Sequence, residues 1–497
     1  MKARFPFPSA AVLFALLALA AAPAHPADLD LVEEREVYVA LDKLNAMGLL
    51  PGFLANTRPY DMQAVRAAAG DVQWAGMAVP ESVADLGRWV AWRSSHANMV
   101  RGQLSAGYSR EPRVEENSGA TRTPDGYSIR GTALGRSEPY PWLSFGGKAT
   151  AWTGEEDGAR MAGYSAQAGH KYASLQAGKI TTWYGPGRRG SLIFTNNAEP
   201  YPGVRLHNPV PIPITGFFSF LGHFQYDLFV ARMDKDRPVP ETMLSGMRLA
   251  LRPNRYLEIG ASRAMHFGGE GYDDGFSAWW DAFKGKEEGD LENTRNQLGG
   301  FDVQLTLPFK TFPVQLYFEA AGEDQSRGEG IEFLPMPEKW AYLGGVFFPA
   351  LFGTPRLDFR AEYADNRVHH EGDIWYTHPY SPHEYKGRIL GHPMGTDARD
   401  LMLQGRWFLL PSTYLEFTMN FTDRYHPGPS TEKTTGFRTA FVGWLTPSVR
   451  AGAGVLLERV KNPGGAAVGT RDEFAYYIDL SWQISGGNVP ASSKERP

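Results

Sequence analysis

Apolar and polar side chains alternate with a period of two through most of the chain from about residue 100 onwards. In residues 414–422, Leu, Phe, Met and Phe alternate with Glu, Thr, Asn and Thr, and similar alternation occurs in residues 314–320, 357–363 and 476–483. Successive side chains of a β-strand point to opposite faces, so each segment predicts a strand with one apolar and one polar face. We expect Phe417 on an apolar outer face and Glu416 on the polar inner face. A hydrated inner wall is expected to carry Asp358, Arg360, Glu362 and Glu416.

These segments number about eighteen, and each is near the ~9–11 residues that a strand needs to cross a bilayer. The connections alternate in length: short ones lie near residues 221–223, 253–254, 410–412 and 447–448, and long ones near residues 181–213, 266–297, 323–339 and 365–398. Short turns at one end and long loops at the other are typical of outer-membrane barrels, whose closure leaves no unpaired sheet edge. The pattern predicts a mainly β protein, a transmembrane antiparallel β-barrel over residues 98–484 with a polar C-terminal tail over residues 485–497.

The period is different ahead of the barrel. In residues 28–95, apolar side chains recur every three or four positions, which is typical of amphipathic helices. Asp30 and Asp61 stand where they can cap helix N-termini, and Gly48 fits a helix end. We therefore expect a small α-helical bundle over residues 25–97, located in the periplasm.

Residues 1–24 have the features of a secretory signal peptide. Lys2 and Arg4 precede a short apolar stretch that ends at a small-residue site around Ala24, and cleavage after Ala27 fits as well. Export and the barrel pattern together predict a Gram-negative outer-membrane protein with surface-exposed loops. Its expected general partners are outer-membrane lipid and the barrel-assembly machinery, and we expect a monomer.

Composition narrows the possible chemistry. The chain has no cysteine, which excludes disulfides and thiolate metal sites. Its formal net charge of −5 does not favour a nucleic-acid partner, and no cofactor is indicated. Loop histidines near carboxylates could bind a metal, but a metal site needs an enforced geometry that this Gly- and Pro-rich loop does not promise, so none is predicted. These histidines are His369, His370, His378 and His383, near Glu371 and Asp373.

The most distinctive segment covers residues 183–200 and reads WYGPGRRGSLIFTNNAEP. It has the glycine spacing of a dinucleotide-binding loop at Gly185, Gly187 and Gly190, but Pro186 interrupts it and a strand-like stretch follows instead of a helix. A structural loop with turns that glycine permits is the better interpretation. Its aromatic, arginine and asparagine side chains could also stack on sugar rings and bind hydroxyl or acidic groups.

A second segment, residues 385–397, reads YKGRILGHPMGTD. The two segments resemble the Wzi family of capsule-assembly outer-membrane proteins through three motifs: Trp183-Tyr184-Gly185-Pro186-Gly187, Asn196-Asn197-Ala198 with Pro200, and Gly391-His392 with Gly395 and Asp397. The N-terminal Thr57-Arg58-Pro59 is similar to that family as well. The resemblance implies a helical bundle joined to an eighteen-stranded barrel. It also implies a lectin-like role, in which exported capsular polysaccharide or exopolysaccharide is bound and anchored at the cell surface.

The candidate polysaccharide-binding residues have an equally plausible second role, which is to order the long loops. They are Trp183, Tyr184, Arg188, Arg189, Asn196, Asn197, Trp375, Arg388, His392 and Asp397. The protein is not expected to be an enzyme, because Ser191 or an Asp397–His392 pair has no geometry that sequence can establish. Two alternative functions stay open, an outer-membrane channel for small solutes and an outer-membrane hydrolase. We expect the long loops to fold inward and close the barrel, which disfavours an open porin.

Overall fold

The computed structural model describes residues 28–70, 80–154, 157–284, 295–307, 309, 312–331, 334–367, 375–425 and 429–488. In these residues we number eighteen long strands: β1 His96–Ser109, β2 Gly126–Tyr140, β3 Leu143–Thr153, β4 Gly158–His170, β5 Ala173–Ile180, β6 Tyr201–His207, β7 His223–Arg232, β8 Met243–Asn254, β9 Leu257–Phe267, β10 Asn296–Leu307, β11 Val314–Ile331, β12 Leu334–Phe348, β13 Leu357–Asp365, β14 Ala398–Leu410, β15 Thr413–Arg424, β16 Glu432–Thr446, β17 Val449–Lys461 and β18 Thr470–Asn488. The helices are α1 Arg35–Ala46, α2 Met62–Gly70, α3 Glu81–Ser94 and α4 Phe276–Phe283. The predicted signal peptide and most of the predicted tail lie outside the described residues.

The strands form one closed antiparallel barrel, as predicted. Each strand pairs with its neighbours along the chain, and β1 closes the sheet by pairing with β18. β13 and β14 pair directly although a long connection separates them. Closure gives every strand a partner on both sides, which removes the sheet edges that a bilayer does not tolerate. No helix in the described part of the chain is long and apolar enough to cross a membrane.

Side chains alternate between the lumen and the outer wall in the predicted register. On β15, Phe417 is 44% exposed on the outer wall, whereas Glu416 is 2% exposed in the lumen. On β18, Ile478 is 62% exposed and the neighbouring Asp479 is 8% exposed. The outer wall therefore carries the apolar side chains that a bilayer contacts, and the polar side chains point inward.

Two long connections are shorter than predicted. β6 occupies part of the connection expected over residues 181–213, and β11 and β12 extend through most of residues 323–339. Residues 323–330 read EDQSRGEG and are polar on both faces, so they have no period-two pattern. A hairpin that continues past the apolar belt needs no apolar face. β18 likewise continues to Asn488, beyond the expected end of the barrel at residue 484.

The N-terminal helices are present, but α1 does not lie ahead of the barrel. It lies in the lumen at the end with the short turns, and its Glu36, Asp42 and Lys43 are at most 7% exposed. Glu36 pairs with Arg101 of β1 at 3.2 Å, and Lys43 lies 3.8 Å from Asp358 of β13. The charged face of α1 looks like a solvated surface in the sequence. It is instead matched by opposite charges of the lumen wall, as buried charges require.

Local signals set the ends of these helices. Asp30 Oδ1 accepts the N–H of Val32 at 2.9 Å in the turn before α1. Asp61 Oδ1 accepts the N–H of Gln63 at 2.6 Å where α2 begins. Gly48 has φ 72° just after α1, a conformation that glycine adopts readily. The predicted capping role of Asp61 and the helix-ending role of Gly48 are confirmed. The capping role predicted for Asp30 was wrong, because α1 begins later, with Glu34 as its N-cap, and Asp30 caps only the turn before it.

Candidate functional site

Three segments of the chain fold into the lumen and meet there: residues 28–61, residues 181–200 between β5 and β6, and residues 375–397 between β13 and β14. We call these three segments together the plug. The two loop segments fold inward as predicted. The described part of the loop expected over residues 266–297 does not, because its helix α4 packs on the outer wall.

Backbone hydrogen bonds join the segments of the plug to one another. Thr57–Arg58 pairs with Trp183–Tyr184 as a two-residue antiparallel ladder. The N–H of Thr195 donates to the carbonyl of Leu390 at 2.6 Å. A loop inside a barrel must satisfy its own polar backbone, and these bonds do so between segments that are distant in sequence.

Asp42 of α1 ties the N-terminal segment to both the loop and the wall. Its carboxylate accepts two hydrogen bonds from the guanidinium of Arg188, at 2.5 and 2.7 Å. It also lies 3.7 Å from Arg58 and 3.9 Å from Arg360 of β13. One buried anion therefore faces three cations from three parts of the chain. The side chain of Arg188 is 10% exposed in this cluster.

Glu362 of β13 holds the tip of residues 181–200. Its carboxylate accepts the backbone N–H groups of Arg188, Arg189 and Gly190 at 2.7, 2.9 and 3.2 Å, and the hydroxyl of Tyr317 at 2.7 Å. Several donors on one carboxylate make strong, charge-assisted bonds. Glu362 is thus a loop anchor, and the expectation of a hydrated wall at this position was wrong.

Two other residues that were expected on a hydrated wall, Glu416 and Asp358, also have charged protein partners. Glu416 accepts hydrogen bonds from Arg35, just inside α1, at 2.7 Å and from Arg406 of β14 at 2.8 Å. Asp358 is 3% exposed and lies beside Lys43. The polar pattern of the strands correctly indicated a polar lumen, but it could not tell water from a second set of protein charges.

Arg189 links the same loop to the connection between β1 and β2. Its guanidinium forms a two-point ion pair with Glu116 and lies 3.3 Å from Asp400 of β14. Burial alone would raise the pKa of Glu116, but the Arg189 guanidinium outweighs burial and lowers it to about 2. Asn117 adds a hydrogen bond to the carbonyl of Arg189 at 2.7 Å.

The third segment packs its aromatic side chains into an apolar core beside β6–β14. Trp375 is fully buried, and its indole N–H donates to the carbonyl of Lys339 at 3.0 Å. The hydroxyl of Tyr376 donates to the carbonyl of Leu192 at 2.6 Å and accepts the N–H of His392 at 3.2 Å. Plug members of this core are Ala46, Tyr184, Leu192, Ile193, Phe194, Ala198, Trp375, Tyr376, Tyr385, Leu390 and Met394.

Two buried histidines of this segment are held as neutral rings. His383 Nε2 lies 2.7 Å from the carbonyl of Ile193, and its Nδ1 lies 3.0 Å from Nε2 of His266. Nδ1 of His392 accepts the N–H of Met394 at 3.1 Å. Burial lowers the pKa of both His383 and His392 to about 4. Neither ring is placed as a catalytic base in a cleft; each fixes loop backbone.

Amide and arginine side chains complete the joins between loops. Arg388 donates to Oδ1 of Asn197 at 2.8 Å, and Asn196 donates to the carbonyl of Asn117 at 2.7 Å. The carbonyl of Asp397 accepts a backbone N–H from the chain just after β15 at 2.9 Å. The positions singled out in the sequence are therefore brought together around one set of loop contacts.

Of the two roles predicted for these ten residues, loop ordering is the one whose contacts the structure displays. Trp375 and His392 are fully buried, and Trp183 and Tyr184 are at most 4% exposed. Because both faces of these rings are covered by protein, they cannot stack on a sugar while the plug is closed. A polysaccharide would have to use side chains other than these four rings, and among the ten residues Arg388 and Asp397 are partly exposed.

Of the loop histidines considered as metal ligands, His369 and His370 lie outside the described residues, and so do the neighbouring Glu371 and Asp373. Among the described residues a different group has metal-ligand spacing, with donor atoms within 4.8 Å of one another: Asp28, Asp61 and His207. Arg205 lies 3.7 Å from Asp28, and Gln167 donates to Asp61 at 2.7 Å. These partners give the two carboxylates a structural role at the short-turn end.

Beside the plug, a cavity of about 510 Å³ lies against β1–β5 and β14–β18. Its lining includes the polar side chains Gln103, Arg130, Asn420, Arg438, Glu458 and Tyr477. The lumen is thus divided into an apolar half that the loops fill and a polar half that retains space. Four of the ten candidate residues line it as well: Trp183, Arg188, Arg189 and Asn196. Sequence reasoning missed only the strand side of the cavity, because polar inward positions are the rule on every barrel strand and nothing marks these six.

Residues 90–473, which are most of the chain, match the family described as capsule assembly protein Wzi. The chain belongs to this family. Its fold is similar to that of Wzi from Escherichia coli, described as an outer-membrane protein involved in group 1 capsule assembly and a carbohydrate-binding β-barrel. The TM-score is 0.71 at 19% identity, covering 93% of this chain and 99% of that one.

Two further comparisons are more limited. An uncharacterized 55.8 kDa protein in the cps region of Klebsiella pneumoniae is 33% identical over 197 residues, which are 39% of this chain and 38% of that relative. OccK10 of Pseudomonas aeruginosa has a TM-score of 0.46 at 10% identity, over 79% of this chain and 99% of that one, which is too weak a likeness to bear on function.

Proposed function

We propose that this protein binds exported capsular polysaccharide at the cell surface and retains it there without catalysis. The observation that carries the proposal is the plug, in which one N-terminal segment and two loops occupy the lumen and are joined by backbone hydrogen bonds and ion pairs. A barrel sealed in this way is suited to holding a ligand and poorly suited to passing solutes. Membership of the capsule-assembly family supports the ligand class.

The orientation follows from the connections. Short turns and both described chain ends lie at one end of the barrel, and the longer connections lie at the other. In bacterial outer-membrane barrels the short turns are periplasmic and the long loops face outward. We therefore assign α1–α3 to the periplasmic side and the loops that follow β1, β5, β9 and β13 to the cell surface.

The polymer is assigned to the polar half of the lumen, where the cavity lies. Tyr477 offers a partly exposed ring, Asn420 an amide and Arg438 a cationic group that suits an acidic sugar. Each sugar hydroxyl exchanges a water bond for a protein bond, at a net gain of about 0.5–1.5 kcal/mol. Retention then comes from many weak contacts along a repeating polymer, while the ten residues of the plug keep the loops in place.

A deletion strain tests the proposal in the cell. Loss of the protein should lower cell-attached capsule and raise polysaccharide released into the medium, with total polysaccharide unchanged. Complementation with Arg438→Gln should restore retention only in part, because the cavity loses a cation. Arg459→Gln, on the outer face of the neighbouring strand β17 and 60% exposed, is the matched control and should restore it fully. Full surface capsule in the deletion strain would refute the proposal.

A channel for small solutes is the second candidate, and the same strain separates the two. Unchanged capsule together with lost uptake of a solute would favour the channel. Hydrolysis of lipid or peptide by the purified protein would favour the hydrolase.

A further inference from the structure

Helix α4 lies on the outer wall of the barrel and not in the lumen. Ala278 and Ala282 are at most 4% exposed and pack with Phe267 of β9. The indole N–H of Trp279 donates to the hydroxyl of Ser245 on β8 at 3.1 Å. Arg248 on the same strand points into the lumen, where it contacts the plug. Side chains of a strand alternate between its two faces, so Ser245, three positions before Arg248, faces outward. The helix is therefore held flat against the surface that faces lipid.

The C-terminal end of α4 is fixed to the wall by polar groups. Arg263 of β9 donates to the carbonyl of Phe283 at 2.9 Å, and Gln297 of β10 donates to the carbonyl of Ala282 at 2.9 Å. The Arg263 guanidinium also lies 5.3 Å from the centre of the Phe283 ring. The last carbonyls of a helix have no partner within it and carry partial negative charge, so these donors satisfy and stabilise that end.

The side chains of α4 fall into three arcs. At 100° per residue, the two alanines face the wall and an aromatic arc holds Phe276, Trp279, Trp280 and Phe283. A polar arc holds Ser277 and Asp281, and the C-cap residue Lys284 lies on the same side. The aromatic rings are stacked, with centroids 5.4 to 5.6 Å apart between Phe276 and Trp279, Trp279 and Phe283, and Trp280 and Phe283. Phe276 is 77% exposed and Trp280 is 44% exposed.

The wall beside α4 belongs to the apolar belt of the barrel. Phe301 of β10 is 50% exposed and lies two residues along the strand from Gly299, the register partner of Arg263. Leu249 and Ile259 on the adjoining strands are 51% and 38% exposed. The exposed aromatic arc is therefore continuous with a surface that lipid covers. Trp and other aromatic side chains prefer the level of the lipid headgroups, where one edge is apolar and the other is wet.

We propose that α4 is an interfacial anchor, whose aromatic arc inserts among the lipids at the long-loop end while its polar arc faces water. In the proposed orientation this is the outer leaflet. An amphipathic helix with aromatic residues on one side and charges on the other is the usual form of such an anchor. Here the barrel wall presents it at a fixed angle, so that residues 268–284 of the connection after β9 are tied to the membrane and kept away from the lumen.

The chain has no cysteine, so single-cysteine variants can be labelled cleanly. An environment-sensitive fluorophore is attached at Phe276→Cys and, as the matched neighbour on the polar arc, at Ser277→Cys. The full-length protein is folded into liposomes with and without brominated acyl chains, and iodide is added as the aqueous quencher. Phe301→Cys serves as the lipid-facing reference, and Val468→Cys, 88% exposed in the connection between β17 and β18, as the water-facing one.

The label at position 276 should lose as much fluorescence to brominated lipid as the label at position 301 and be shielded from iodide. The label at position 277 should resemble the one at position 468. Retained heat-modifiable mobility on gels shows that each variant has folded. Iodide quenching at position 276 equal to that at position 468 would place the helix in water and overturn the proposal. Shielding from both quenchers would mean that protein covers the helix, and would overturn it equally.

Discussion

Removal of the Asp42 carboxylate should open the plug. In the closed barrel this group accepts two hydrogen bonds from Arg188 and has Arg58 and Arg360 within 3.9 Å. Asp42→Ala leaves three buried cations without their shared anion. Loss of one partner of a buried ion pair costs about 3–5 kcal/mol, because the remaining charge is desolvated and unpaired. At ~1.4 kcal/mol for each tenfold change, the population with a released plug rises by roughly two to three and a half orders of magnitude.

Planar-bilayer recording measures that population directly. The intact protein should show no persistent conductance, and Asp42→Ala should show frequent large openings, together with faster proteolysis within residues 181–200. Asp85→Ala is the matched control: it removes a carboxylate of α3 that pairs with Arg88 and is 43% exposed, so it should cost only about 0–1 kcal/mol and leave the barrel closed. Equal closure of the two variants would show that the Asp42 cluster does not hold the plug. Persistent conductance in the intact protein would contradict the closed lumen itself.

Three further results are expected. Phe417→Arg should destabilise the barrel in lipid by about 2–4 kcal/mol, measured as the free energy of unfolding in a refolding titration, if Phe417 faces outward. An unchanged titration would contradict that orientation. Gly391→Ala should destabilise the loop joins by about 1–3 kcal/mol, because a Cβ there would lie 2.5 Å from the carbonyl of Leu192, whereas Gly70→Ala meets nothing within 4 Å and should be neutral by thermal unfolding. Since the pKa values of His383 and His392 are lowered from 6.5 to about 4, the released loop binds more protons than the closed one between these values. The contribution of these two histidines to plug stability should therefore be present in full above about pH 6.5 and be lost as the pH falls toward 4, which hydrogen exchange of residues 375–397 would detect; exchange independent of pH would exclude this.

The alternation of apolar and polar residues was enough to predict the barrel and its register. Leu415, Phe417 and Phe421 face lipid and must be apolar. Because successive side chains of a strand alternate between its faces, such apolar residues recur at every second position of the sequence. The polar positions between them carry less information. Glu416 and Glu362 look the same in the sequence whether water or a protein donor lies opposite, so the plug could not be inferred from the strands.

The candidate site shows the same division. The unusual residues of 183–200 and 385–397 indicated two segments in which few side chains can be exchanged. In the structure these two segments pack against each other, so each limits which residues the other can have. Gly190 leaves room for the ring of His392, and a Cβ at Gly190 would lie 2.1 Å from it. Such a contact joins residues some two hundred positions apart, and no local pattern records it. The strand residues that line the polar half of the lumen, such as Arg438 and Tyr477, belong to no comparable sequence motif. Their position in the cavity could be recognised only in the structure.

Binding of long native capsular polysaccharide to the purified, folded protein in lipid nanodiscs tests the proposed function most directly. We expect saturable binding of the long polymer, poor binding of its single repeat unit, and weaker binding by Arg438→Gln than by the control Arg459→Gln. Added salt should weaken binding of an acidic polymer, since its contact with the cavity is electrostatic. If the long polymer binds no better to nanodiscs that contain the protein than to empty nanodiscs, the proposed function is contradicted.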